Sequence, residues 1–457
     1  MPTGSTARAS IAALPAHAVI TDADVKRSYA VDASLGAGVP HEYEVVRAES
    51  LADVVEVMRY AQASGTPVVP QGARTGLCGG AVATEGAVVL NVEGLAQVYE
   101  IDPVESIVVT GPGVGTTQLK TAVAEYGLFY PPDPASADSC TIGGNVATNA
   151  GGLCCVKYGV TADYIRGLEV VLPGGELITT GRRTAKGVSG LDLTGLFVGS
   201  EGTLGVVTRI IAQLIPSPET ALTALATFDS LAAATEAIVR LRTDPHRPSL
   251  LEFLDAPSID AVQSLADYGF PTGCQAVLLV QSDRTGHTHQ DVQRYADLMS
   301  ETGATDVAVA DTRSESDLLL AGRRALNTAL EAAGTRLIED MCVPIRQLGA
   351  LVEGGQQIGE AHGLRITMSG HGGDGNLHPS IFFDAADPDS VAAAQTTFGD
   401  MVRLALRLGG TIAGEHGIGT LKRHWLPSEV GESSMARQRQ IKAIFDPAGI
   451  MNPGKVY

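Results

Sequence analysis

The sequence predicts an α+β fold built from two large domains. Three observations point there. The chain is 457 residues long, which at ~150 residues per domain makes three units or two large ones. Short Val/Ile/Leu runs alternate with capped, amphipathic stretches along most of its length, a pattern of mixed strands and helices and not of a solenoid. Pro216 and Pro218 sit together where the composition changes, and mark a domain boundary. Hydrophobic residues make up 44% and charged residues 18%, so a packed core is affordable and disorder is excluded as the main state.

The elements follow in order. Residues 1–37 form an Ala-rich N-terminal segment with room for a helix or two. Residues 38–217 make the first domain. In it, Ser50 followed by Leu51, Val54, Val55 and Met58 reads as an amphipathic helix, with Asp53 completing a capping box and Gly65 ending it. A short run from Thr66 to Pro70 leads into a glycine-rich loop. A second helix starts at Thr116 or Thr117, presents Leu119, Ala122, Val123 and Tyr126, and stops at Gly127. Strand-like runs cover Leu168–Leu172 and Gly205–Ile210. Residues 218–430 make the second domain, with helices near 229–242, 286–300, 314–333, 344–362 and 390–408 between runs such as Gln275–Gln281 and Arg365–His371. Residues 431–457 close the chain with a short helix and Asn452-Pro453-Gly454-Lys455.

Charge and cysteine usage narrow the function classes. The net charge is −19, from 32 basic and 51 acidic side chains. That argues against nucleic acid or an anionic membrane as partner, since both require a positive footprint. It leaves room for a small anion held in a locally basic site. No run of 18 or more apolar residues is present, so no transmembrane helix is expected. The first 20 residues lack the compact apolar stretch of a signal peptide. Cys78, Cys140, Cys154, Cys155, Cys274 and Cys342 form no C-x-x-C pair, which fits thiols in a reducing cytoplasm.

Three glycine clusters lie in the first domain. Pro70-Gln71-Gly72-Ala73-Arg74-Thr75-Gly76-Leu77-Cys78-Gly79-Gly80 places four glycines in eleven residues. Small residues let backbone N–H groups converge on phosphate oxygens. Neither a Walker A loop nor G-x-G-x-x-G is present. Pro131-Pro132-Asp133-Pro134 precedes the second cluster, Thr141-Ile142-Gly143-Gly144-Asn145-Val146-Ala147-Thr148-Asn149-Ala150-Gly151-Gly152. The third is Gly199-Ser200-Glu201-Gly202-Thr203-Leu204-Gly205-Val206. Three such clusters suit a long ligand with several polar parts, such as a dinucleotide.

A second constellation lies in the other domain. In Ser369-Gly370-His371-Gly372-Gly373-Asp374-Gly375-Asn376-Leu377-His378, two strands flank a Gly-Asp-Gly loop. Such a hairpin sets His371 and His378 near each other, within reach of one ion. Gly414-Glu415-His416-Gly417-Ile418-Gly419 adds a carboxylate and a third imidazole. A lone histidine is more often a hydrogen-bonded core residue. Three histidines and a glutamate, all in glycine-rich loops, are a different matter. Two His and one Glu are a standard set for catalytic zinc, and Mn²⁺ or Fe²⁺ accept it too.

Together these segments resemble the vanillyl-alcohol-oxidase-type flavoproteins, and within them the FAD-dependent D-2-hydroxyacid dehydrogenases. The resemblance spans residues 40–457. It implies a two-domain FAD-binding flavoprotein with an α+β substrate cap, the chain returning to the flavin domain at its end. By resemblance, Gly72, Ala73, Arg74, Thr75, Gly76, Leu77, Pro132, Asp133, Thr141, Gly144, Asn145, Thr148, Gly151, Glu201, Val206 and Asn452 hold FAD. Gln71 and the Gly72-Ala73-Arg74 series depart from the family loop, which changes local charge but keeps the backbone donors. No His or Cys stands where covalent flavin attachment is expected.

The resemblance further implies that His371, His378 and Glu415 bind a divalent metal, zinc first, and that His416 is the base. Arg323, with Arg324 as its rival, takes the substrate carboxylate, and Asn376 also contacts substrate. Where the hydroxyglutarate branch carries a lysine, this chain has Ile338, and where that branch has threonine it has Asn327. The expected reaction is oxidation of a D-2-hydroxy acid to the 2-oxo acid by hydride transfer to flavin N5, with a monocarboxylate such as D-lactate or glycolate favoured. The alternatives are a D-2-hydroxyglutarate-type enzyme and a flavin-free, metal-dependent hydrolase. The electron acceptor is not named by the sequence, and a homodimer is left open.

Overall fold

The computed structural model describes residues 14–35, 38 and 40–457. The rest of the expected N-terminal segment lies outside the described residues. Its described part carries one helix, Ala23–Ser28, whose N-cap Asp22 accepts the N–H groups of Asp24 and Val25. The chain divides into two compact units. One comprises residues 1–150, 160–217 and 415–457, the other 151–159 and 218–414.

The first unit opens with a parallel sheet in the order Tyr43–Arg47, Ala87–Asn91, Val68–Gln71. The Leu51–Ser64 helix makes the crossover between the first and last of these. Ser50 and Asp53 form its capping box, and Gly65 ends it at φ 68°. Val54, Val57, Met58 and Ala61 of the helix pack on Val46, Val68, Val88 and Leu90 of the sheet. The central strand is buried along its whole length, as a parallel strand covered on both faces should be.

A five-stranded antiparallel sheet follows, in the order Val98–Asp102, Ile107–Thr110, Val206–Gln213, Ile165–Val171, Leu177–Gly181. Burial along Val206–Gln213 alternates strictly, so one face is cored and one is not. The closing segment returns to the parallel sheet. Val68 N–H donates to Ile450 O at 2.8 Å, and Asn452 N–H donates to Val68 O at 2.7 Å.

The second unit is built on a seven-stranded sheet, in the order Asp306–Val309, Leu222–Phe228, Ala276–Ser282, Leu250–Asp255, Ser369–His371, Asn376–Leu377, Met341–Cys342. Every pairing in it is antiparallel. A smaller sheet joins Arg336–Ile338, Ser380–Phe382 and Ile366–Thr367. Two expectations are refined here. The run Arg365–His371 splits into two strands that serve different sheets. The helix near 314–333 is two helices, Arg313–Leu319 and Ala321–Ala333, meeting at Leu320. The second of these buries Leu326, Ala329 and Leu330 in a core shared with Leu250, Leu254, Ile259, Val262 and Phe382.

Residues 415–430, expected with the second domain, pack in the first unit. A carboxylate explains it: Glu201 accepts the backbone N–H groups of Ile418 and Gly419 at 2.7 and 2.8 Å.

Candidate functional site

In the first unit, the strand Val68–Gln71 delivers the first glycine cluster to the start of the Ile142–Thr148 helix. A Cβ on Gly72 would lie 2.5 Å from Thr141 Oγ1, so only glycine permits this approach. The Asn91 side chain secures the loop by donating to Gly72 O at 2.9 Å. Thr141 caps the helix through the Gly144 N–H at 3.3 Å. A Cβ on Gly76 or Gly144 would meet almost nothing, Asp32 at 4.0 Å and Thr141 Oγ1 at 3.4 Å respectively. The two glycines therefore leave room beside them, as the close approach of a ligand would need.

The charged members of this set are turned inward. Arg74, at φ 61°, pairs with Glu93 at 2.9 Å and lies over the Tyr29 ring at 4.4 Å. Gln71 is buried and donates to Tyr29 O and Ala81 O at 2.8 and 2.6 Å. Asp133 forms an ion pair with Lys120. The loop thus presents backbone donors and little net charge. Asn145 is buried and donates to Thr116 Oγ1 at 2.8 Å, and Thr148 donates to Gly144 O at 3.3 Å. Ala73, Thr75 and Leu77 are half-buried on the loop, Pro132 is buried, Val206 starts its strand in the core, and Gly151 opens the short segment assigned to the other unit.

Glu201 and Asn452 act on the protein's own loops. Both sit in the left-handed region, at φ 50° and 41°, which non-glycine residues occupy only when the surroundings impose it. Asn452 donates to Gly80 O at 2.9 Å and to Glu201 O at 2.7 Å. Lys455 donates to Val82 O at 2.9 Å. Burial pushes the Glu201 carboxyl up to about 7, against the pull of the Ile418 and Gly419 N–H groups and the Lys455 and Lys422 charges. Burial pushes the Lys455 ammonium down to about 8.

In the second unit the expected hairpin forms. Gly370 pairs with Leu377, and His371 with Asn376. The His371 and His378 rings meet edge to face, their centroids 5.2 Å apart. Ligand atoms of His378 lie within 4.8 Å of those of both His371 and Asp340. Two acidic residues that the sequence reading missed organise this cluster. Glu252 Oε1 stands 2.5 Å from His371 Nδ1, and Glu252 Oε2 accepts Arg323 Nε–H at 2.6 Å. Burial alone would raise the Glu252 carboxyl, but the His371 and Arg323 charges and hydrogen bonds bring it below its usual value. Being ionised, Glu252 can only accept, so His371 Nδ1 carries the proton and Nε2 is the nitrogen suited to a metal.

Asp340 is the second. It is fully buried, accepts Asn376 Nδ2–H at 3.1 Å and lies 3.7 Å from His378 Nδ1. Among the described residues Asn376 Oδ1 is buried with no hydrogen-bond partner. A Cβ on Gly414 would strike Asn376 Nδ2 at 1.8 Å; the chain passes the cluster only because that residue is glycine. Glu415 and His416 are the next two residues, and from Glu415 on the chain counts with the first unit. A carboxylate within the apolar run Leu250-Leu251-Glu252-Phe253-Leu254 was the one local signal that could have exposed Glu252, because unpaired carboxylates are not buried.

Arg323 is half-buried, its side chain 17% exposed. Arg324 instead pairs with Asp317 at 2.8 Å on the exposed side, which removes it as a rival. All six cysteines are among the described residues and none is in a disulfide. No helix of the described residues is long and apolar enough to cross a membrane.

Comparisons with known proteins accord with these two regions. Residues 44–181 match the FAD binding domain family, and residues 217–456 match the C-terminal domain of FAD linked oxidases. The chain is 39% identical over 415 residues to the glycolate oxidase subunit GlcD of Bacillus subtilis, covering 90% of this chain and 88% of that one. It is 34% identical over 422 residues to a D-lactate dehydrogenase of Anaerostipes hadrus, covering 90% and 89%. Among solved structures, p-cresol methylhydroxylase with substrate bound superposes with a TM-score of 0.79 at 16% identity, over 97% of this chain and 95% of that one. That likeness gives the fold of vanillyl-alcohol-oxidase-type flavoproteins. The FAD-binding match also removes the flavin-free hydrolase. The chain belongs to the FAD-linked oxidase family and is an FAD-dependent oxidoreductase.

Proposed function

We propose that this protein oxidises a D-2-hydroxy acid to the corresponding 2-oxo acid, with FAD as electron acceptor and a divalent metal, zinc first, at His371, His378 and Glu415. The observation that carries the reading is the buried Glu252–His371 pair beside His378 and Asp340. A carboxylate that fixes a histidine tautomer from behind is the usual support of a metal-binding imidazole. The unmatched Asn376 Oδ1 fits the same picture, because it supplies an acceptor for a substrate hydroxyl or a bound water. The names of the relatives, glycolate oxidase subunit and D-lactate dehydrogenase, agree with a small 2-hydroxy acid.

When bound, FAD supplies the hydride acceptor and the metal supplies a Lewis acid. The chain's own residues do the rest. Arg323, held through Nε by Glu252, keeps its two terminal nitrogens for the substrate carboxylate, the bidentate use to which a guanidinium is suited. His416 takes the hydroxyl proton, as an imidazole neutral near pH 7 can. The Gly72–Leu77 loop and the Thr141–Thr148 segment hold the cofactor, mainly through backbone. Glu201 and Asn452, whose side chains fasten the Ile418–Gly419 and Gly80 loops, complete the cofactor set on this reading. The protein lies in the cytoplasm on this reading, and passes its electrons to a partner of unassigned chemistry.

The test is the anaerobic visible spectrum of the purified, yellow protein with D- and L-2-hydroxy acids. Bleaching by a D-acid and not by its L-partner is expected. A flavin that no 2-hydroxy acid reduces, with metal supplied, refutes the reading.

A further inference from the structure

The turn that follows His416 is seated by two acceptors, and all of it lies in the first unit. Ile418 and Gly419 donate their N–H groups to Glu201 Oε1 and Oε2 at 2.7 and 2.8 Å. Thr420 and Leu421 donate theirs to Cys78 O at 2.9 and 3.2 Å. Successive amides are thus taken by a carboxylate of the third glycine cluster and a carbonyl of the first. The turn is also closely shaped. Gly417 and Gly419 stand at φ 87° and 50°. A Cβ on Gly417 would lie 3.0 Å from Glu201 Oε1, and one on Gly419 would lie 2.0 Å from Cys78 O. Neither glycine can gain a side chain without displacing the carboxylate or the Cys78 loop.

Glu201 is itself held in place. It is buried, and Asn452 Nδ2 donates to its carbonyl at 2.7 Å. A Cβ on Gly80 would lie 2.9 Å from its Oε2. The charged groups that face it are Lys455 and Lys422, both of which favour the carboxylate, and Tyr457, whose phenol its charge raises. Asp32 stands on the far side of Lys455 and favours the ammonium there. An ionised carboxylate accepts on both oxygens; a protonated one carries a hydrogen on one of them and serves the facing N–H poorly. Burial holds this carboxyl at about 7, so both forms are met in an ordinary assay range. Ile418 is two residues after His416, and a shift of the turn therefore carries the imidazole with it. Misplacing a reacting group by about 1 Å costs about 10²-fold in rate.

We propose that Glu201 is a positioning residue for proton abstraction: its ionised carboxylate sets the turn at residues 417–419 and so presents His416 to the substrate hydroxyl. This rests on the 2-hydroxy acid reading, in which His416 is the base. Glu201 acts through the turn and meets no reacting atom. Its side chain thereby gives the third glycine cluster a part in the chemical step as well as in the cofactor site.

The experiment is anaerobic stopped-flow reduction of the FAD- and metal-loaded protein by D-lactate, glycolate and D-2-hydroxyglutarate, each rate taken per bound flavin. Glutamine is a close mimic of protonated Glu201, neutral and with one good acceptor. Glu201→Gln should therefore slow reduction by about 10–100-fold near pH ~8.5 and by less than about 5-fold near pH ~5.5. The ratio of the two proteins' rates cancels every other titration they share. In a His416→Ala background, Glu201→Gln should cost less than about 3-fold, because a residue that acts through His416 has nothing left to position. Glu201→Asp keeps the charge and should lose less than Glu201→Gln near pH ~8.5; where the glutamine variant does not fold, the aspartate variant carries the same cycle. A rate ratio that is constant across pH overturns the proposal, and so does a full loss in the His416→Ala background. Reduction of the unaltered protein by no 2-hydroxy acid overturns the parent reading and this role together. Failure of Glu201 alone leaves that reduction intact, so the two failures are told apart.

Discussion

Glu252 stands behind His371, its Oε1 2.5 Å from Nδ1, while its other oxygen holds Arg323 at 2.6 Å. One fully buried carboxylate thus sets both an imidazole and a guanidinium, the first directed at the metal and the second at the substrate in the proposed site. Glu252→Gln is expected to lower kcat/KM by about 10–100-fold, the usual effect of losing such support. FAD should be retained, because the cofactor loops lie in the first unit. The check is steady-state kinetics beside flavin content and metal analysis.

His416→Ala should leave the protein yellow and slow its reduction by about 10²–10⁴-fold, the range of a lost general base. Stopped-flow absorbance under anaerobic conditions reads this directly. Rapid reduction in the variant would remove His416 from the mechanism.

Metal removal should separate the two cofactors. Dialysis against a chelator is expected to abolish reduction by substrate while the flavin spectrum persists, and Zn²⁺ or Mn²⁺ should restore it. His378→Ala should behave like the chelated protein and resist restoration. A chelated protein of full activity would refute a metal role for His371, His378 and Glu415.

Glu201 makes the stability depend on pH. Its folded-state carboxyl is pushed to about 7 from an ordinary 4.5, chiefly by burial. As pH rises from ~4.5 to ~7, the unfolded chain loses this proton first and the folded chain keeps it. The unfolded state then binds fewer protons, so the contribution of Glu201 to stability falls across that window, by about 3 kcal/mol in all. Asp255, also pushed to about 7 by burial, adds a fall of the same sign. Glu201→Gln should flatten the slope between pH 5 and 7. Denaturant unfolding at several pH values measures it.

Gly414→Ala should cost stability and activity together. The added Cβ would meet Asn376 Nδ2 at 1.8 Å and Asp340 Oδ1 at 2.9 Å. Overpacking of this kind costs about 1–3 kcal/mol. A lowered Tm with an enlarged KM is the expected result.

What the sequence revealed was local. Ser50 and Asp53 are three residues apart, and a capping box needs nothing further away. The His371–Asn376 hairpin closes over a loop of four residues, all in one motif. Glu252 was invisible because its partner is 119 residues distant. The break at Leu320 escaped notice because no proline or glycine marks it. The glycine loop shows Arg74 in sequence but not its partners, since Glu93 is 19 residues on and Tyr29 lies 45 residues back. Spacing within a motif reports geometry when the contacts are near in sequence; it says little about charges neutralised from elsewhere.

The closing segment has a consequence for how the protein comes into being. Val68 exchanges hydrogen bonds with Ile450 and Asn452, and Lys455 reaches back to Val82. Some 380 residues separate Val68 from these partners. At about 5–20 residues per second, a ribosome needs roughly 20–75 seconds between making the strand and making what completes it. Throughout that interval the nascent sheet has an edge without its final partner, and the Gly80 loop lacks the Asn452 amide that fastens it. FAD capture is therefore expected only after residues 450–455 have been made, and deleting residues 450–457 should yield apoprotein prone to aggregation.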